Sequence, residues 1–446
     1  MRIAILGTGY VGLITGVCLA LKGHEVVCVD KNQNIVKKLN CAKPTIYEKG
    51  LEKILRKVVR SKNFSATQDT NYALKKAKIV IVAVGTPTLK NRIDLKFLKN
   101  ACIELGKFLK TSNDYLSVII KSTVVPGTTD TFVKQILERE SGKKVGQFGL
   151  GMNPEFLREG NALEDFNNPD RIIFGYEDKK TLQLLKKMYL PWKTKKIPMS
   201  SRSAELVKYA NNIILASQIS IINEISNYSH DLGRVNFSKV LSGIHSDKRW
   251  SPILKDGKRI NPDILSYLIP GCGFGGSCFS KDLKAIKEHA KSFSYNMKVI
   301  DAVLKVNESQ PLKVVKILKK EVDIKNKKVL VLGLSFKQDT DDVREAPSFK
   351  IISQLLKEGA KVTAHDPIAI KNFKENFKID NKNLFYSNKW VNLIKQHEIV
   401  IVVTAWEDYK NINNFNLKEK IIVDCRNIVA NKDLSLKNKI INIGNN

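Results

Sequence analysis

Three glycines among the first dozen residues restrict the fold of this 446-residue chain more than any other feature. Gly7-x-Gly9-x-x-Gly12 lies between Arg2-Ile3-Ala4-Ile5-Leu6, which reads as a short buried strand, and Tyr10 to Leu21, which reads as a helix stopped by Gly23. A second strand, Glu25 to Val29, ends at Asp30. This order is a βαβ unit whose turn lets backbone approach a pyrophosphate and aims helix amides at its charge. A carboxylate about twenty residues on can accept hydrogen bonds from an adenosine ribose and repel a 2′-phosphate, so the residues favour NAD over NADP.

Further strand signals follow at Ala77 to Val84, Leu116 to Lys121 and Phe148 to Gly151, with helical segments between them. Strands alternating with helices predict a parallel, doubly wound sheet. From Ser203 to His230 the pattern becomes that of one long helix, with Leu206, Ala210, Ile213, Ser217 and Ile221 along one stripe and Gly233 as its stop. A turn-rich stretch, Ser246 to Pro262, a glycine-rich loop, Gly271 to Ser277, and a helix from Asp282 onward complete a middle domain. The opening pattern then returns. Lys328-Val-Leu-Val-Leu-Gly333 echoes the first strand and its glycine, Gly359 to Asp366 echoes Gly23 to Asp30, and His397 to Val403 echoes Ala77 to Val84. The second copy lacks the later glycines, which suits a ligand other than a dinucleotide. The expected fold class is therefore α/β, with two Rossmann-like doubly wound parallel-sheet domains, 1–200 and 311–446, joined by a long central helix and helical middle domain, 201–310.

Lys and Arg number 75 against 44 Asp and Glu, a formal charge of +31. The lysines are spread along the chain without a basic tail, so the excess reads as a solvated surface and not as a nucleic-acid site. The seven cysteines are odd in number and none stand at Cys-x-x-Cys spacing, which indicates neither a disulfide framework nor a metal site and suits a reducing, cytoplasmic setting. The apolar start resembles a secretory signal, but its glycine spacing and the Lys22-Gly23-His24-Glu25 that follows argue against one, and no stretch is apolar enough for membrane insertion.

Several residues carry chemistry. Gly85-Thr86-Pro87 and Ser122-Thr123 follow predicted strands, at the edge where open parallel sheets bind ligands. Asn153-Pro154-Glu155-Phe156-Leu157-Arg158-Glu159-Gly160 also follows a strand; if it is helical, Glu155 and Glu159 face one way and can serve as a general base. Lys208 and Asn212, four apart on the long helix, suit a developing oxyanion. The glycine-dense segment Gly271 to Ser277 delivers Cys278 to a helix start beside Lys281-Asp282, and a helix N-terminus and a lysine both favour thiolate.

This set resembles the nucleotide-sugar 6-dehydrogenases, the UDP-glucose/GDP-mannose dehydrogenase family, over almost the whole chain. The resemblance rests on Gly7 to Gly12 with Tyr10 and Val11, Ile46-Tyr47-Glu48, Gly85-Thr86-Pro87, Lys121-Ser122-Thr123, Asn153 to Gly160, Ala204 to Asn212, Gly273 to Asp282, Phe336-Lys337-Gln338-Asp339-Thr340, Arg344-Glu345 and Asp424-Cys425-Arg426-Asn427. It implies a four-electron, NAD-dependent oxidation of a sugar nucleotide's primary alcohol to a carboxylate. UDP-glucose is the leading substrate, with UDP-N-acetylhexosamines or GDP-mannose as alternatives. By the same resemblance Cys278 forms a thiohemiacetal and then a thioester. Lys208, Asn212 and Asp282 serve the alcohol and the oxyanions, Glu155 or Glu159 activates the hydrolytic water, and Thr123 orders it. Gly7, Gly9, Tyr10, Val11, Gly12, Asp30, Thr86, Pro87, Thr123, Glu159 and Arg344 are implied around NAD. Glu155, Phe156, Leu157, Lys208, Asn212, Arg259, Phe274, Gly275, Lys337 and Arg426 are implied around the sugar nucleotide. A homodimer or larger assembly around the long helix is implied as well.

Three positions depart from the family pattern: Ile35 stands where many relatives carry a basic residue, the segment between Gly243 and Gly271 is longer, and Cys425 replaces the usual glycine before Arg426. The rival readings are a two-electron hydroxyacid dehydrogenase, which needs no cysteine, and a basic nucleic-acid-binding Rossmann protein, which rests on charge alone.

Overall fold

The computed structural model describes residues 1–429 and 438–443. Its contacts divide the chain into two compact units, Met1–Asn211 with Lys284–Phe293, and Asn212–Leu283 with Ser294–Asn446.

The first unit is built on an eight-stranded sheet. Its strands are β1 (Arg2–Leu6), β2 (Glu25–Val29), β3 (Phe64–Thr67) and β4 (Ile79–Val82), then, after a small hairpin of β5 (Thr88–Leu89) and β6 (Arg92–Ile93), β7 (Ser117–Ile120), β8 (Gly149–Met152), β9 (Arg171–Tyr176) and β10 (Lys195–Met199). The order β10-β9-β8-β7-β4-β1-β2-β3 puts β1 inside, with the chain winding outward in both directions. All pairings are parallel except β8 with β9. Ile3 and Ile5 pack into one hydrophobic core and Ala4 and Leu6 into another, so β1 is buried on both faces. That is why its sequence is continuously apolar where a one-sided strand would alternate.

The second unit repeats the plan. Strands β11 (Lys328–Leu332), β12 (Lys361–His365), β13 (Leu384–Tyr386), β14 (Ile399–Val402), β15 (Ile421–Asp424) and β16 (Lys439–Asn442) pair in the order β13-β12-β11-β14-β15-β16, all parallel. Val329 and Val331 face one core, Leu330 and Leu332 the other. Both sheets therefore have a switch point beside their first strand, where connections leave in opposite directions and open a crevice at the strand ends.

Two points left open by the sequence are visible here. Asn153 to Gly160 is an extended loop, not a helix, so no helical face unites Glu155 with Glu159. The long helix is Ser201–Leu232, and its buried side carries Ala204, Glu205, Lys208, Tyr209, Asn212, Ala216, Ser220, Asn223 and Ser226. Of the apolar stripe, Leu206 and Ile221 are about half exposed at 50% and 52%. Glu205 shows why the polar side turns inward: its carboxylate accepts from Gly127 N at 2.6 Å and Thr129 N at 2.8 Å, closing a turn whose amides would otherwise be unmet.

Gly333, the glycine after β11, has φ +103°, and a Cβ there would stand 2.4 Å from Thr404 Cβ and 2.6 Å from Thr404 N. Gly359 has a similar φ of +80° but its nearest neighbour is a flexible Lys325 side chain at 3.4 Å. Gly359→Ala should cost only the left-handed penalty, about 1–2 kcal/mol, whereas Gly333→Ala adds a backbone clash and should cost roughly 3 kcal/mol or more. Thermal and urea melts of the two variants check this; equal losses would show that the turn yields freely.

Candidate active site

The cofactor turn lies in the first unit, between β1 and the helix Tyr10–Leu21. Gly7 has φ +98°, and a Cβ on it would stand 2.7 Å from Ala83 O; one on Gly12 would stand 2.0 Å from Gly7 O. These two positions need glycine because the turn folds onto itself and onto the residue after β4. Gly9 needs it for the opposite reason. It caps the helix without a side-chain bond and has open space around it, leaving the amide end clear for an anion. Asp30, just past β2, accepts from the Thr8 hydroxyl and, at 2.9 Å, from Asn32 N, which fixes a carboxylate beside the turn. Thr86 donates to Thr123 O at 2.9 Å, so the loops after β4 and β7 are tied together, and Gly85 between strand and Pro87 faces open space. A helix amide end left clear at Gly9, a turn closed to a Cβ at Gly7 and Gly12 and an oriented carboxylate fit NAD.

Tyr10, on the first turn of that helix, donates to Glu48, whose carboxylate also accepts from Gly160 N and Ala162 N, each at 2.9 Å. Glu48 thus links the cofactor helix to the loop bearing Glu155 and Glu159. The two carboxylates go separate ways. Glu159 lies close enough to Tyr10 to oppose ionisation of its phenol, after burial and Glu48. Glu155, 8% exposed, accepts from Lys208 Nζ at 2.8 Å and from Leu157 N at 2.7 Å. Burial pushes its pKa up, but the charge and hydrogen bond of Lys208, Leu157 N–H and the more distant Lys121 outweigh that, and the carboxyl stays below its ordinary range. Lys121 is itself buried and donates to Asn153 Oδ1 at 2.9 Å; desolvation brings it down to about 8, opposed by Glu155. Phe156 stacks under Arg171 at 4.3 Å and under Lys208 at 5.7 Å, so the ring screens the ion pair. Sequence reasoning used Lys121 only as part of a motif; a lysine at the end of a buried strand was the available signal.

The second unit holds the thiol. Helix Phe279–Lys291 starts three residues before the expected Asp282, and Asp282 N donates to Cys278 O at 2.8 Å, which makes Cys278 the residue capping its N-terminus. Asp282, 1% exposed, accepts from Asn212 Nδ2 at 2.7 Å, and Lys281 Nζ stands 3.9 Å from its other oxygen. The glycines before Cys278 let the loop press on other backbone: a Cβ on Gly271 would be 2.7 Å from Cys425 O, on Gly275 2.5 Å from Glu345 O, and on Gly276 2.8 Å from the Phe336 ring. Phe274 meets Phe279 edge to face at 5.6 Å. Cys272 Sγ donates to Val403 O at 3.7 Å, and the Cys272 and Cys425 side chains lie in the same buried core.

Among the remaining candidates, Lys337 lies over Phe336 at 5.8 Å, and Arg426 Nε donates to Val403 O at 2.6 Å. Arg344 grips Asp342 with Nε at 2.8 Å and Nη2 at 2.7 Å. Arg259 donates to Ser246 O at 2.7 Å and Ser251 O at 3.0 Å, closing its own segment. Asp366, the echo of Asp30, turns inward: it accepts from Leu334 N at 2.8 Å, Ser335 N at 3.0 Å and Ala369 N at 2.9 Å. The amides that a dinucleotide phosphate would use in the first copy are thus engaged by the second copy's own carboxylate.

The chain is similar to known proteins along nearly its whole length. Residues 1–193 match the NAD binding domain of the UDP-glucose/GDP-mannose dehydrogenase family, 202–309 its central domain and 330–431 its UDP binding domain. A UDP-glucose 6-dehydrogenase of Rickettsia conorii is 33% identical over 442 residues, 97% of each chain. A UDP-glucose dehydrogenase structure from Pyrobaculum islandicum superposes with TM-score 0.88 at 35% identity, covering 100% of this chain and 98% of the other. A UDP-D-ManNAc dehydrogenase from Pyrococcus horikoshii gives 0.80 at 25% identity, covering 100% and 99%.

Removing Lys208 should invert the pH dependence of stability near Glu155. In the native protein the depressed carboxyl contributes stability that is present above its unfolded pKa and lost on acidification through the folded one. In Lys208→Met burial wins, the folded pKa rises, and stability instead falls as pH increases. The penalty should reach about 3 kcal/mol at pH 8 and shrink toward pH 5. Melting temperatures of both proteins across that range check the sign; parallel profiles would disprove the coupling.

Proposed function

The chain belongs to the UDP-glucose/GDP-mannose dehydrogenase family, NAD-dependent oxidoreductases of sugar nucleotides, and from that premise we propose that it oxidises UDP-glucose to UDP-glucuronate through a covalent intermediate on Cys278. The observation that carries the covalent route is a thiol capping a helix N-terminus beside the buried Asn212–Asp282 pair. A two-electron dehydrogenase needs no such residue. The substrate choice is supported by relatives of near-equal length that act on UDP-glucose by name, at higher identity than the UDP-D-ManNAc enzyme.

NAD, when bound, accepts the hydride lost in each oxidation, held by the Gly7–Gly12 turn, Asp30, Thr86 and Thr123. In the first oxidation the primary alcohol loses its proton to a water or base in the care of Asn212, Asp282 and Lys208, and becomes an aldehyde. Cys278 sulfur then bonds to the carbonyl carbon while the oxygen takes a proton, giving a thiohemiacetal. Loss of the second hydride and of that proton gives a thioester. Water attacks the thioester carbon, its proton passing to Glu155 or Glu159; the C–S bond breaks, the acid leaves and the thiol is restored. Lys208 and Asn212 supply charge and an amide donor to the oxyanions. Lys337 and Arg426 suit the substrate's diphosphate. The cysteine usage, odd in number and without Cys-x-x-Cys spacing, supports a reducing, cytoplasmic setting.

The same proposal includes a homodimer. Ile214, Ile221, Ile225, Tyr228 and Leu232 recur along one side of the long helix and are 41–68% exposed, a contiguous apolar face of the kind that a second copy covers.

Assayed with a panel of sugar nucleotides, the protein should yield two NADH per acid with UDP-glucose, and Cys278→Ser should form no acid. A single NADH per turnover with an active Cys278→Ser would sink the thioester route, and turnover of only another sugar nucleotide would move the substrate. By light scattering the protein should have twice the chain mass, and Ile221→Glu combined with Ile225→Glu should give monomers; a monomeric parent would refute the dimer.

A further inference from the structure

The loop that delivers Cys278 is irregular and buried from Gly271 to Gly276, so its peptide groups have no water and no regular ladder. Unmet buried amides and carbonyls are costly, and side chains must answer them. Two helices do so with carboxamides, which carry one acceptor and two donors each. From the long helix, Asn223 Oδ1 accepts from Gly271 N at 2.8 Å. From helix Lys298–Glu321, Gln310 Nε2 donates to Gly271 O at 2.8 Å, and Asn227 Nδ2 holds Gln310 by donating to its Oε1 at 2.8 Å.

Asn307, one helical turn before Gln310, makes the fuller contact. Its Oδ1 accepts from Phe274 N at 2.7 Å and its Nδ2 donates to Phe274 O at 3.0 Å. The side chain thus pairs with both polar groups of one residue, as a neighbouring strand would. Gly273 is fitted to it: at φ +95° its Cβ would stand 2.7 Å from Asn307 Oδ1. The Phe274 ring then packs edge to face on Phe279, the residue directly after Cys278.

We propose that Asn307 is a positioning residue for Cys278, setting the place of the thiol through the Phe274 backbone and the Phe274–Phe279 ring contact. This deepens the reading of Cys278 as the sulfur that captures the aldehyde and rests on it. Small displacements of a reacting group are expensive in rate, so the loss should fall on kcat. Cofactor binding uses other residues, and the KM for NAD should not move.

The test is the rate at which iodoacetamide alkylates Cys278 in the full-length protein without substrate, located by peptide mass spectrometry, together with kcat and KM for NAD. The variants are Asn307→Ala and the isosteric Asn307→Asp, each first shown to be folded by its melting temperature. Asn307→Asp keeps the acceptor for Phe274 N and turns an anion toward Phe274 O. Both rates should change on the order of 10- to 100-fold in both variants, with KM for NAD unchanged. In Asn307→Asp the difference from the parent should narrow on acidification, because a protonated carboxyl can again donate to Phe274 O. Should Asn307→Ala fail to fold, Asn307→Asp decides alone. Parental alkylation and kcat in a folded variant would overturn the proposal, as would a change in KM for NAD equal to that in kcat. Alkylation needs no sugar nucleotide, so an altered thiol in a protein that oxidises none of them would leave the positioning standing and remove only the proposed function.

Discussion

Burying an irregular backbone is the constraint on which the second unit turns. A loop gains a fixed shape by leaving water, but each N–H and C=O it takes along must be met. Between Gly271 and Gly276 the solution has two parts. Glycines remove the side chains that would hold neighbouring backbone away, which admits Glu345 O and Cys425 O to close range. Carboxamides of Asn223, Asn307 and Gln310 then take the place of a paired strand. Neither part works alone, since close backbone approach without partners would leave the polar groups unmet.

The two sheets show how one topology reaches two ligand classes. Both have their first strand inside and a glycine at positive φ after it. In the first, Gly9 leaves the helix amides open, and Asp30 stands aside, held by Thr8 and Asn32. In the second, Asp366 turns back onto Leu334 N and Ser335 N, neutralising the feature that attracts a pyrophosphate. The difference lies in the residues just past the glycine: the open Gly-x-x-Gly of the first copy, or Leu334-Ser335-Phe336, in which the amides of Leu334 and Ser335 curl around a carboxylate.

Much of this was legible in the sequence where local rules act alone. β1, the helix Tyr10–Leu21 and β2 fall on the expected residues because a doubly buried strand, a glycine turn and a glycine stop each leave a local signature. The long helix was found as an element, but which side faces inward was not legible. Apolar periodicity normally marks the inward side, and here Lys208, Asn212 and Asn223 lie inside because loops distant in sequence need their polar groups. The condition that Asn153 to Gly160 be helical is not met, for a related reason: Glu155 satisfies Leu157 N within the loop and meets Lys208 from far along the chain, neither of which a four-residue spacing reveals. Asn307 and Gln310 were missed entirely. Their spacing is ordinary for a helix surface, and only the tertiary fold shows which backbone they answer.

The charge of the chain takes on a different meaning once burial is known. Among 75 lysines and arginines, Lys121 and Lys208 are the only buried ones within the described residues. Both are within electrostatic reach of Glu155. Burial makes the charge of these two cations more effective than that of solvated lysines. Taking them out of water is costly, and desolvation draws Lys121 down to about 8. The cost is offset if the chemistry develops negative charge, as alkoxides and tetrahedral oxyanions do.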